Sequence, residues 1–136
     1  MECILNHGDF TLTISWNVYE SDLNFPVNTT ACISVSDRNF SCRASMDLNA
    51  EGAAMFSKDL SSLYKNLSGK AVLRQPYGPE MFISFEACPH GHICIKGRLD
   101  MLNDRDSCSI EFTKTVDQTS LKSFSLENEA FLSKYL

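Results

Sequence analysis

The densest cluster of reactive side chains in the sequence is Cys88-Pro89-His90-Gly91-His92-Ile93-Cys94, with thiol or imidazole groups at four of seven positions. Thiolates and imidazoles are the ligands that zinc prefers. Structural zinc sites, however, draw them from spaced knuckles such as C-x₂-C, whereas Pro89 and Gly91 mark a hairpin turn that splays the side chains apart. The segment therefore reads as a hairpin without a metal. Parity along its two strands leaves Cys88 and Cys94 on the face opposite the apolar one, near enough for a small-loop disulfide if oxidised and ordinary thiols otherwise.

No other run of residues spells out a reaction. The sequence lacks a Gly-x-Ser-x-Gly elbow, a phosphate-binding glycine loop with its lysine, a His-Glu-x-x-His pair and a dinucleotide fingerprint. A dyad of residues distant in sequence, for example His92 with Asp100, is the arrangement that a motif search leaves open. The expectation is a protein that is not an enzyme and holds no cofactor. Trp16, the single tryptophan, falls on the apolar parity of its strand and reads as core. Basic residues are scattered rather than interleaved with aromatics on one strand, so nucleic acid is not the expected partner.

Charge is unevenly spread. Residues 1–37 hold Glu2, Asp9, Glu20, Asp22 and Asp37 with no Lys or Arg, which accounts for the whole net charge of −5, while the remainder is balanced with twelve of each sign. An acidic stretch repels phosphate backbones and steers a basic protein such as a nuclease toward it; the plainer reading is that it serves solubility.

These residues must be held by a fold, and the composition, 43% apolar and 21% charged, is that of an ordered globular chain. A length of 136 residues fits one domain. No apolar run approaches the roughly 20 residues that span a bilayer. Met1 to Asn6 lacks the basic start and apolar stretch of a signal peptide, so the chain is expected to stay in the cytoplasm with its six cysteines reduced and its Asn-x-Ser/Thr sequons at Asn28, Asn39 and Asn66 unused.

Alternation of apolar and polar residues marks strands at Phe10–Val18, Thr30–Ser36 and Phe40–Met46, the last two a hairpin about Asp37-Arg38-Asn39. Ala53, Phe56, Leu60, Leu63, Tyr64 and Leu67 then form a helical stripe, which predicts a helix over about Ala50 to Leu67, with Asp47 or Asn49 as N-cap and Gly69 as its stop. Lys70–Arg74 is a short strand. After a turn at Pro76-Tyr77-Gly78-Pro79, an antiparallel meander follows: one strand with Met81, Ile83, Phe85 and Ala87 inward, a second with Ile93, Ile95, Gly97, Leu99 and Met101, a polar turn at Asn103-Asp104-Arg105-Asp106, and a third with Cys108, Ile110 and Phe112. Leu121, Phe124, Phe131 and Tyr135 predict a last helix over about Gln118 to Lys134, capped by Asp117 or Thr119.

Clean alternation implies one covered and one wet face, and two amphipathic helices are the elements available as cover. The expected fold is α+β: a single antiparallel sheet of about six to seven strands with both helices on one face. Trp16, Phe56, Leu60, Ile83, Phe85, Ile95, Leu99, Phe112, Leu121 and Phe131 are the expected core.

Over about residues 50–135 the order of elements resembles the WapI-type immunity proteins. The resemblance is carried by Leu63-Tyr64-x-x-Leu67-x-Gly69 at a helix end, by Gly91-His92-Ile93 opening a strand, and by Asp117-Gln118-Thr119 opening the final helix, with Ser120 standing where an aromatic residue often follows. The resemblance implies a small bacterial cytoplasmic protein, encoded beside a polymorphic, contact-delivered toxin, that binds its cognate toxin domain and occludes it. The motifs are largely structural and speak for a shared fold more than for a shared partner. Under this reading the acidic stretch contributes Glu20, Asp22 and Asp37 to the toxin interface, and a basic nuclease is the kind of toxin that such a stretch suits. The alternatives are a small-molecule or metal-binding module centred on the Cys88 to Cys94 hairpin and an enzyme of unrecognised type.

Overall fold

The computed structural model describes residues 1–78, 80–102 and 105–136. Its strands are β1 (Glu2–His7), β2 (Phe10–Val18), β3 (Thr29–Asp37), β4 (Phe40–Leu48), β5 (Lys70–Arg74), β6 (Phe82–Cys88), β7 (His92–Leu102) and β8 (Ser107–Asp117), and its helices are α1 (Ala50–Asn66) and α2 (Gln118–Leu132). Both helices and the predicted strands lie where the periodicity places them. The expected turns at Pro76 to Pro79 and Asn103 to Asp106 include Pro79, Asn103 and Asp104, which lie outside the described residues.

The expectation of one sheet does not hold. Among the described residues the strands form two four-stranded antiparallel sheets, in the orders β1-β2-β3-β4 and β5-β6-β7-β8, each a meander of sequential neighbours. Alternation shows that every strand has one buried face, and is silent on whether two meanders join edge to edge. Width supplies the reason they do not. Eight strands at about 4.8 Å spacing would span nearly 40 Å, whereas two helices each about 10 Å wide cover about half of that. The apolar faces of both sheets instead belong to one continuous core, shared with the helices.

Nor do the helices lie side by side on one sheet face. They pack on each other, with α1 against β5 of the second sheet and α2 against β1 of the first. A chain of rings runs through the junction, Phe56 of α1 to Phe85 of β6 to Phe124 of α2, with centroids 5.8 Å apart at both steps. The Trp16 indole N–H donates to Asn128 Oδ1 at 2.8 Å, and the Asn128 amide donates on to the Phe124 carbonyl, so the one polar side chain of α2 that meets the indole is fully paired inside the core.

Eight of the ten expected core residues are buried; Phe112 and Phe131 are half-buried and pack against the core. The strand that periodicity missed is β1. Only Cys3 and Leu5 face inward there, and Ile4 on the wetter face blurs the alternation.

Helix ends follow local chemistry, with one correction. Asn49 caps α1 by accepting from the Glu51 N–H at 2.9 Å. The left-handed residue that closes α1 is Leu67 (φ 51°), whose N–H bonds the Leu63 carbonyl, rather than Gly69. Gly69 (φ 93°) instead turns the chain into β5, and its carbonyl accepts from Ala87. Asp117 occupies the N-cap position of α2 without a side-chain bond. No helix of the described residues is long and apolar enough to cross a membrane.

Candidate interaction surfaces

The three acidic residues singled out from the sequence are not brought together. Glu20 and Asp22 sit in a one-turn helix that follows β2, while Asp37 ends β3 at the opposite end of the same sheet, where it pairs with Phe10. The nine-residue strand puts roughly 25–30 Å between the two places. Each carboxylate has its own surroundings. Glu20 accepts a hydrogen bond from the Tyr135 hydroxyl and stands 3.9 Å from Lys134 Nζ. Burial, and then that bond to Glu20, push the Tyr135 phenol up to about 12. Asp22 is exposed and makes no ion pair among the described residues. Asp37 is half-buried and holds Lys114 of β8 at 2.7 Å, tying the first sheet to the second.

That ion pair lies in a cleft of about 810 Å³ between the tips of the β1–β2 and β3–β4 turns and the middle of β8. Its walls come from three stretches far apart in sequence, so no motif points to it. Phe10 and Phe112 form its floor, with centroids 6.3 Å apart, and Arg38 pairs with Asp9 at 3.3 Å across its rim. The carboxylates of Asp9 and Asp37 thus already have cations. His7 lines one side and its Nδ1 is 3.1 Å from Ser120 Oγ, the spacing of a base and a nucleophile. No carboxylate orients His7 among the described residues, and Ser120 does not face the cleft, so the pair lacks the rest of a catalytic arrangement.

The Cys/His hairpin does not converge on a point. His90 is exposed and left-handed (φ 67°), and the half-buried Gly91 after it is left-handed too, which makes the tight reversal. His92 stands opposite Cys88 in the register, with Nδ1 3.3 Å from the Pro89 carbonyl. Cys88 lies 3.8 Å from the Glu86 carbonyl, and the Cys94 thiol is pushed up by burial and by its neighbour Cys88. All six cysteines are free thiols. Among the described residues no three His, Cys, Asp or Glu side chains are grouped to hold a metal ion. His92 and Asp100 are eight residues apart along one strand, roughly 26 Å, so they form no dyad; Asp100 pairs with Arg98 at 3.2 Å instead.

The short motifs of the sequence do meet. The Gln118 side chain, in the segment that opens α2, donates to the Tyr64 carbonyl near the end of α1 at 2.9 Å, which locks the two helices together where they cross. Ser120, two residues on, contacts β1 through His7. Gln118 and Ser120 thus fasten the start of α2 to α1 and to β1.

The family model described as "Immunity protein WapI-like family" matches residues 4–136, which extends the sequence resemblance across the first sheet as well. No curated protein and no solved structure matches the chain.

Proposed function

Because the chain belongs to the WapI-like immunity protein family, we propose that it neutralises a cognate toxin domain by binding it and covering its active or substrate-binding surface. The observation that carries this reading is the family match over all but the first three residues. The protein performs no catalysis in this scheme; it works in the cytoplasm of the cell that makes it, where it meets toxin delivered by contact with a neighbour.

The charge distribution supports a basic toxin, as a nuclease is. The first 37 residues carry five acidic side chains and no Lys or Arg, and they build most of the first sheet. Long-range attraction to such a surface raises the association rate, while buried anchors set the dissociation rate. Asp22 acts in this way at one end of the sheet, and Glu20 near it more weakly because Lys134 stands 3.9 Å away. Asp37 contributes less field because Lys114 answers it.

The test is co-expression with the toxin domain encoded directly upstream of this protein. Cells carrying both genes should grow where cells carrying the toxin alone do not, and the two proteins should co-purify. Loss of growth despite full expression of both, with no complex on size exclusion, would sink the reading.

A further inference from the structure

The connection between β2 and β3 displays an unusual amount of apolar surface. Tyr19, Leu23, Phe25 and Val27 are all exposed there, and Tyr77 from the segment after β5 stands beside them; Phe25 and Tyr77 are 61% and 65% accessible. Asp22, Phe25, Pro26, Val27 and Tyr77 line one shallow, open groove of about 650 Å³. Five of the twelve large apolar side chains exposed among the described residues gather at this one place, a concentration that suits a contact surface.

The backbone beneath it is fastened from inside. Buried Asn28 donates from Nδ2 to the carbonyls of Leu23 and Phe25 at 3.3 and 3.1 Å, while its Oδ1 accepts from the Ala50 N–H at 2.8 Å. Asn49 Nδ2 donates to the Pro26 carbonyl at 3.1 Å, and the Tyr19 N–H bonds the Asn28 carbonyl. None of these bonds buries the displayed side chains. They fix the loop in one shape, which removes the ordering cost that a binding loop otherwise carries into its complex.

Charge selects the occupant. Asp22 borders the groove and has no ion-pair partner among the described residues, and residues 1–37 contain no Lys or Arg. Two aromatic rings beside an unanswered carboxylate suit a cationic side chain, whose stem lies on the rings and whose head reaches the carboxylate. By contrast, Asp9 and Asp37 in the inter-sheet cleft are already matched.

We propose that residues 19–28 with Tyr77 form the surface that grips the toxin, and that the groove takes a Lys or Arg side chain from a basic patch on it. This rests on the immunity reading above, which supplies the partner.

The experiment measures binding of the cognate toxin domain to wild type, to the double variant Phe25→Ser with Tyr77→Ser, to Asp22→Lys, and to Phe40→Ser at the inter-sheet cleft. Thermal melting of each variant first establishes that it is folded. The double variant should weaken binding by about a hundredfold or more, mainly through faster dissociation. Asp22→Lys should slow association and flatten its salt dependence. Phe40→Ser should stay within about threefold of wild type. Near-wild-type binding by the double variant, with wild type binding and protecting normally, overturns the inference and leaves the immunity function standing. A wild-type protein that neither binds nor protects removes the function itself, before any variant is compared. A wild-type dimer in sedimentation that the double variant loses would assign the patch to a second copy of this chain, and overturn the toxin assignment.

Discussion

Lys114 of β8 reaches across from the second sheet to Asp37 of β3 in the first, Nζ to Oδ2 at 2.7 Å, with its ammonium also 5.7 Å from the Phe10 ring centroid. Each side chain is about one-third accessible, so solvent screens the pair and its net contribution is about 1 kcal/mol. Asp37→Asn should lower stability by about that amount, or some 3 °C in melting temperature for a domain of this size. Lys114→Met together with Asp37→Leu should recover most of the loss, since neither charge then stands alone. A double-mutant cycle by urea unfolding checks both.

Gly97 stands opposite Phe112, and a Cβ on Gly97 would lie 2.4 Å from the edge of the Phe112 ring. The glycine is there to let the ring lie flat across β7. Gly97→Ala should therefore destabilise by about 1–3 kcal/mol through overpacking. Adding Phe112→Leu should relieve much of it, and a failure of that rescue in denaturation midpoints would refute the steric account.

Asn128 is completely buried and is the acceptor for the Trp16 indole. Asn128→Leu keeps the branched shape but leaves the indole N–H without a partner, which should cost about 1–3 kcal/mol. Trp16→Phe in the same background removes the orphaned donor, so the double variant should be more stable than the single one. Chemical unfolding followed by circular dichroism decides between these orders.

Burial, reinforced by the Glu127 carboxylate, pushes the Cys3 thiol up to about 12 from an ordinary value of 9.0. Below the unfolded value the thiol is protonated in both states and the contribution to stability is complete. From about pH 9 upward the unfolded chain ionises first, so stability falls as pH rises toward 12. Cys3→Ala should be less stable at neutral pH but lose less on moving from about pH 8 to about pH 10. In native protein, alkylation should reach exposed Cys108 and spare Cys3.

Reversing Glu20 and Asp22 together to Lys should slow association with the toxin domain and weaken its dependence on salt, with only a small loss of melting temperature because the contacts that Glu20 gives up to Tyr135 and Lys134 are exposed. Adding Asp37→Lys should act on stability more than on rate, because it places two cations against each other at Lys114. Association rates across a salt series compare the three proteins; identical slopes would show that the acidic stretch serves solubility alone.

What can be read from this chain without coordinates is whatever neighbouring residues settle among themselves. The stripe from Ala53 to Leu63 makes α1, alternation makes β2 through β4 and β6 through β8, Asn49 caps a helix, and the inward parity of Trp16, Ile83, Phe85 and Ile95 follows from a period of two. The family motifs are equally local, since they are helix ends and turns. The tertiary structure decided the rest, because the competing arrangements share the same local pattern. One wide sheet and two facing ones have identical alternation, and only the area that two helices can cover separates them. The contacts that fix core and surface alike bridge long separations: Asp37 with Lys114 across 77 residues, Trp16 with Asn128 across 112, and Glu20 with Tyr135 across 115. Tyr77 meets Phe25 in one groove only because the chain passes through α1 and β5 between them. Periodicity assigns each of these residues a face, and packing alone assigns it a neighbour.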